Sequence, residues 1–151
     1  SPSSVTPTGF STLTVNSSVN SNPGNYPITI KGAASGGPQH SVTVNTSLTA
    51  PITPSPSSLT INLTRGGASV WNDIGFTSDG GATFNASLSI SGLPSNVRSS
   101  FSSSTLTLGG TSRLTLSANK SARTGSYNVI VNFTGGGNTS PSIMPITLNI
   151  N

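Results

Sequence analysis

Apolar and polar residues alternate at a period of two along most of this chain, as in strands that bury one face. Clusters of Gly, Pro, Asn and Ser separate the alternating runs. The pattern predicts strands at 58–64, 82–93, 97–102, 104–108, 112–118, 126–133 and 143–150. It places in the core the side chains of Leu88, Ile90, Leu114, Leu116, Val129 and Val131. No segment has a helical period, so the sequence predicts an all-β protein.

The beginning of the chain repeats a later part of it. Residues 22–44 read as two strands around a glycine-rich turn, and a similar phrase returns at 122–148. Without a gap, 11–30 aligns with 112–131 at an offset of 101 residues, pairing Leu13 with Leu114, Val15 with Leu116 and Tyr26 with Tyr127. Ser41–Asn45 then aligns with Pro145–Asn149 if three residues are inserted.

This repeat predicts one complete unit at 51–151, preceded at 1–50 by the C-terminal half of a similar unit. Seven short strands in the complete unit indicate an immunoglobulin-like Greek-key β-sandwich. Half a sandwich exposes a core face and unpaired backbone. Three explanations stay open: the chain is cut from a longer polypeptide, residues 1–50 add strands to the complete sandwich, or another subunit donates strands.

Composition excludes several functional classes. The 151 residues include six Lys or Arg and two acidic residues, for a net charge of +4. The basic residues are scattered and lack neighbouring aromatics, which argues against nucleic-acid binding. No apolar run reaches the ~18 residues of a membrane helix, so no membrane insertion is expected. There is no cysteine for disulfides or thiolate metal sites.

Catalytic residue types are almost missing. Asp73 and Asp79 are the only carboxylates, and His40 is the only imidazole. No nucleophile elbow precedes a helix, so the sequence indicates a non-catalytic chain without a cofactor. Asn72, Asp73, Ser78 and Asp79 supply oxygen donors on one predicted loop, which makes a weak calcium candidate. The competing interpretation is a simple turn at Asp79–Gly81.

Trp71 and Phe76 are the binding candidates, in a predicted loop of about 17 residues between the first two strands of the complete unit. Exposed aromatics stack on sugar rings or on apolar protein surfaces. Alternatively, Trp71 covers the end of the sandwich core.

Seven Asn-x-Ser/Thr triplets are candidates for N-glycosylation. They lie at Asn16, Asn45, Asn62, Asn85, Asn119, Asn132 and Asn138. Because Ser, Thr and Asn are abundant here, chance accounts for many of these triplets.

Three phrases carry a resemblance to a known class. They are "PGNYPITIKG" at 23–32, "TGSYNVIVNF" at 124–133 and "ASLSISGLPSNV" at 86–97. They resemble the tandem immunoglobulin-like or fibronectin-III-like modules of secreted bacterial and archaeal surface proteins. The resemblance implies that Tyr26 and Tyr127 form tyrosine corners with backbone upstream, and that 86–97 holds strand B and the B–C turn.

The function expected from these features is that of a non-catalytic extracellular module for structure or adhesion, with neighbouring domains or subunits as partners. One alternative is a subunit of a filament or pilus assembled by donor-strand complementation. Another is an accessory domain of a secreted hydrolase that binds polysaccharide or protein.

Overall fold

The computed structural model describes residues 2–6, 8–18, 20–79 and 83–151. In this part of the chain all regular structure is strand, and no helix occurs. The strands are β1 (Gly24–Ala33), β2 (Gln39–Leu48), β3 (Thr53–Ser55), β4 (Leu59–Leu63), β5 (Val70–Thr77), β6 (Asn85–Ser91), β7 (Val97–Phe101), β8 (Thr105–Thr107), β9 (Thr111–Ala118), β10 (Gly125–Gly135) and β11 (Ser142–Ile150). The all-β prediction is confirmed.

Strands β3 to β11 form two sheets. One has the order β4-β11-β10-β6-β8, and the other has the order β3-β5-β9-β7. From β3 to β10, successive strands alternate between the two sheets. Neighbours are antiparallel except for β4, which runs parallel to β11. The predicted two-sheet sandwich is therefore confirmed.

The core lies between these sheets. Alternate residues of β9 and β11 point inward, so Leu114, Leu116, Ile146 and Leu148 are buried while their neighbours face outward. The buried apolar cluster draws its members from 52 to 150, and none from the N-terminal hairpin. Of the residues predicted for the core, five are buried and Ile90 is half-buried.

The predicted loop between the first two strands is wrong, because residues 70–77 form β5 in the middle of the four-stranded sheet. The segment predicted to be strand B is β6, which follows β5 in the chain and lies in the opposite sheet. Apolar and polar residues do not alternate along β5 as they do along the other strands. Trp71 lies on its exposed outer face, and polar Asn72 takes a half-buried position on the other face.

The first two strands form a separate antiparallel hairpin, as predicted. Its register corrects the proposed three-residue insertion. Ile28 lies opposite Val44, as Val129 lies opposite Ile146, so Val44 corresponds to Ile146 and the insertion is one residue. A shift of two residues leaves the same side chains on the same face, so alternation alone could not reveal the error.

Residues 11–18, which align with β9, form no strand. They nevertheless run beside the hairpin. Leu13 and Ile30 line one hollow, while Val15 and Ile28 line another. The N-terminal part therefore brings together counterparts of β9, β10 and β11.

Candidate functional site

The turn between β10 and β11 holds the chain that leaves the hairpin. The amide of Ala50 donates to the carbonyl of Gly136 at 2.8 Å. The side-chain nitrogen of Asn138 donates to the carbonyl of Ala50 at 2.6 Å and to that of Gly135 at 3.1 Å. Both backbone groups of Ala50 are therefore bonded to the turn, and Ala50 is only 7% exposed. We call this contact, between Ala50 and residues 135–138, the junction.

Two glycines let the junction close. Gly136 and Gly137 have φ values of 62° and 72°, a region that favours glycine. A Cβ atom on Gly136 would lie 2.6 Å from the carbonyl oxygen of Ala50, and one on Gly137 would lie 2.8 Å from that of Leu48. Since Leu48 ends β2, the turn contacts the base of the hairpin as well as the linker, residues 49–52, which joins β2 to β3. The hairpin is thus fixed to the sandwich by direct contacts.

The junction also bears on the predicted glycosylation sites. An amide nitrogen has two hydrogens, and Asn138 uses both in the junction. A glycan on this nitrogen would replace one of them, so we expect Asn138 of the folded chain to be unmodified. Asn132 is half-buried and donates to Ser91. The other candidates, Asn16, Asn45, Asn62, Asn85 and Asn119, are exposed.

The two tyrosines make the same local hydrogen bond. The hydroxyl of Tyr26 donates to the carbonyl of Asn22 at 2.6 Å, and that of Tyr127 donates to the carbonyl of Arg123 at 3.1 Å. Both bonds span four residues, which is the geometry of a tyrosine corner. Tyr127 packs against the core, whereas Tyr26 is 45% exposed. The corner therefore forms in both copies although only one has a closed core.

Removing the Tyr127 hydroxyl should weaken the sandwich. We expect Tyr127→Phe to lower the free energy of unfolding by about 1 kcal/mol, the net value of a hydrogen bond, while the ring keeps its packing. Tyr26→Phe is the matched control and should leave sandwich unfolding unchanged, because Tyr26 contributes nothing to that core. Urea unfolding followed by circular dichroism measures both. Equal midpoints for the two variants would contradict the expectation.

An aromatic ring, a cation and a carboxylate meet on the outer face of the four-stranded sheet. Trp71 is 54% exposed, and the guanidinium carbon of Arg113 lies 3.9 Å from its ring centroid. Nε of Arg113 donates to Oδ1 of Asp73 at 3.3 Å. Asp73 and Arg113 lie directly opposite on β5 and β9. We call these three residues the outer-face triad. Arg113 is not a candidate from the sequence alone, because only the pairing of β5 with β9 brings it to Trp71 and Asp73.

The predicted platform of Trp71 with Phe76 does not form. The two residues are five positions apart on β5, and side chains alternate along a strand, so they point to opposite faces. Phe76 is 2% exposed and packs in the core, with its ring centroid 5.5 Å from that of Phe84 and 6.4 Å from that of Phe133. Trp71 is exposed on the sheet and does not cover the end of the core.

The calcium candidates do not share one loop, because Asn72 and Asp73 lie in β5. Asp73 belongs to β5 and pairs with Arg113, so its carboxylate already has a cation. From Asp73 the strand runs extended to Thr77, about 13 Å at the usual rise per residue, before it reaches Asp79. Among the described residues, no group of three His, Cys, Asp or Glu side chains is placed to hold a metal ion. The turn expected at Gly80 and Gly81 lies outside the described residues.

The hairpin and residues 11–18 beside it present an apolar surface, which we call the open face. It carries Leu13, Val15, Ile28, Ile30, Val42 and Val44. Their counterparts in the sandwich, Leu114, Leu116, Val129, Val131, Met144 and Ile146, are at most 1% exposed. On the open face, Val42 is 57% and Val44 is 44% exposed. Exposed apolar patches in folded proteins mark interaction surfaces.

The sequence alone does not predict the junction, although the glycine run of its turn is visible there. Three consecutive glycines precede Asn138, and such a run between two strands indicates a turn that approaches other backbone closely. The residue it contacts, Ala50, is 88 positions away from Asn138, and only the fold brings them together.

No helix in the described part of the chain has the length and apolar character needed to cross a membrane.

No protein-family model matches the sequence, and neither does any curated protein. Among solved structures, domains 4 and 5 of the S-layer protein SbsC cover 84% of this chain at 15% identity, with a TM-score of 0.46. The match spans 66% of that structure, slightly less than two thirds of it. A protein of unknown function from Porphyromonas gingivalis W83 covers 86% of this chain and 67% of its own, at 10% identity and a TM-score of 0.43. At these values neither likeness bears on function.

Proposed function

We propose that the chain is a non-catalytic structural module of an extracellular or cell-surface protein, arranged in series with other β-sandwiches. The junction is the observation that carries this proposal. A flexible linker would need no buried Ala50, no amide clamp from Asn138 and no glycines closing on the backbone. These contacts fix the angle between successive units, which is what a stiff array requires.

The path of the chain through the sandwich supports a mechanical role. The linker enters near β3 and β4, and β11 is the last strand of the sandwich. β4 and β11 run parallel and pair over five positions, from Leu59 with Ile146 to Leu63 with Ile150. Pulling the start of β4 away from the end of β11 loads this ladder along its length. The hydrogen bonds then resist together instead of opening one at a time.

The surface suits an exposed location outside the cell. Ser, Thr and Asn supply most of its polarity, and only 5% of the residues are charged. Five predicted glycosylation sites are exposed. The chain has no cysteine, so its stability does not depend on the redox state of the surroundings.

Loosening the junction tests the proposed role. Asn138→Ala removes both side-chain hydrogen bonds to the linker and turn, so the hairpin should sample a wider range of positions relative to the sandwich. Because the chain has no cysteine, spin labels can be attached at Thr43→Cys on β2 and Thr147→Cys on β11. Pulsed electron paramagnetic resonance should show one narrow distance distribution for the parent and a broader one for Asn138→Ala.

The control is Asn119→Ala, an identical change at an exposed position whose side chain makes no junction contact. It should leave the distribution narrow. A parent distribution as broad as that of Asn138→Ala would contradict a rigid junction, and with it the proposed structural role.

The outer-face triad favours a second candidate function, binding of polysaccharide by an accessory domain. An exposed indole beside a guanidinium and a carboxylate offers stacking and hydrogen bonds to a sugar ring. A glycan array screened with the parent and Trp71→Ala tests it, and Thr60→Ala on β4 in the other sheet is the control. Binding that is lost only in Trp71→Ala supports this function. No binding by the parent ends it.

A further inference from the structure

The N-terminal part reproduces the sandwich at its turns although it lacks the core. Hydrogen bonds join Gly9 to Thr6, Ser21 to Ser18 and Gly37 to Ala34, each from amide to carbonyl. At an offset of 101 residues the same bonds join Gly110 to Thr107, Ala122 to Asn119 and Asn138 to Gly135. The corner bonds of Tyr26 and Tyr127 share this offset. The turns and the tyrosine corner of the N-terminal part thus match those of 103–150.

The two copies differ in what surrounds them. In the sandwich, β10 has β6 as its antiparallel neighbour and β11 has β4 as its parallel neighbour. Among the described residues, no further strand pairs with the corresponding outer edges of β1 and β2. Unpaired strand edges are templates for a further strand.

In the described part of the chain, the open face also lacks a second sheet to cover its apolar side chains. Residues 11–18, the counterpart of β9, belong to no sheet, whereas β9 lies between β5 and β7. Val5 aligns with Leu106 of β8 and is 49% exposed, against 4% for Leu106. What is missing around the N-terminal part is therefore the counterpart of β3 to β7, residues 53–101.

We propose that residues 2–48 form a docking site for a polypeptide segment with the strand pattern of 53–101, which completes a second sandwich. This inference rests on the proposed arrangement in series and names what fills the open unit. A strand like β6 adds antiparallel to β1, and a strand like β4 adds parallel to β2. Each inserts apolar residues at every second position over the open face.

A second copy of this chain is a poorer occupant. Its own β4 and β6 bury Ile61, Leu63, Ala86 and Leu88 in its core, so donating them would open that sandwich. Two open faces packed against each other would cover the apolar side chains. The outer edges of β1 and β2 would still be without strands.

The test extends the intact chain by placing a second copy of residues 51–101 directly ahead of Ser1, since Ser1 aligns with Ser102. Val44→Cys reports on the open face, because it would be the only thiol. Thr147→Cys, on the outer face of β11, is the control for general reactivity. We expect the extension to slow thiol labelling of Val44→Cys about tenfold or more, as burial does, and to leave Thr147→Cys unchanged.

A matched extension, carrying Ser in place of the residues copied from Ile61, Ile74 and Leu88, should give no protection. If the extension itself misfolds, a peptide of residues 83–93 added to the unextended Val44→Cys chain decides, against a scrambled peptide. Protection by the native peptide alone supports the site, and protection by neither extension nor peptide overturns it. Protection of the unextended chain that rises with its own concentration assigns the face to a second copy, which also overturns it. The junction distances are measured separately, so the proposed function can stand if this inference falls.

Discussion

Leu114→Ala is expected to lower the free energy of unfolding by about 2–5 kcal/mol, the range for a leucine deleted from a packed core. Leu114 is fully buried on the inner face of β9, between strands β5 and β7. Removing its side chain leaves a cavity that two hydrogen-bonded sheets can close only in part.

Leu13 is the matched control for this change, because it aligns with Leu114 and is the same residue type. It is 54% exposed, so we expect Leu13→Ala to change the free energy of unfolding by at most about 0.5 kcal/mol, as at other surface positions. Urea unfolding followed by circular dichroism compares them. Equal losses would mean that the open face is already covered in solution, against the structure described here.

Phe76→Ala should have a similar or larger effect, about 3–5 kcal/mol, which is the cost of deleting a buried phenylalanine. Its ring contacts those of Phe84 and Phe133, which joins β5 of one sheet to β10 of the other. The substitution therefore removes apolar burial and ring contacts that bridge the sheets.

Trp71→Ala on the same strand is the control. Its ring contacts Arg113 on the outer face, and an exposed cation–π contact is worth about 0.5–1 kcal/mol. Thermal or urea unfolding followed by circular dichroism can rank the two variants. A larger loss for Trp71→Ala than for Phe76→Ala would show that the outer face of the sheet is packed against something, and would contradict the assignment of Phe76 to the core.

These two comparisons locate stability in one part of the chain. The core cluster lies entirely between residues 52 and 150, while the N-terminal part holds its shape by turns, corner bonds and the junction. Local hydrogen bonds and short-range turn chemistry form without a closed core. Burial of the open face needs strands that the described residues do not supply. The N-terminal part thus has the turns and the tyrosine corner of the proposed second sandwich, but not its closed core.

Much of the candidate site could not be predicted because its contacts are distant in sequence. The glycine run before Asn138 indicated a tight turn, but nothing near it pointed to Ala50. Trp71 was identified as a candidate, while its partner Arg113 is 42 positions away and depends on the register of β5 and β9. The sequence places Phe76 in a loop, because an exposed Trp71 and a half-buried Asn72 obscure the alternation of β5.

The sequence by itself determined the all-β character, most strand positions and the repeat, because alternation and turn chemistry act over a few neighbouring residues. The two tyrosine corners were implied by the resemblance to immunoglobulin-like modules. Only the tertiary structure decided that β5 is a central strand, that Trp71 faces outward, and that Ala50 is clamped by the turn at 135–138. Those features depend on which sheet each strand joins and in which register. That choice is made by packing across the whole sandwich, and no local pattern encodes it.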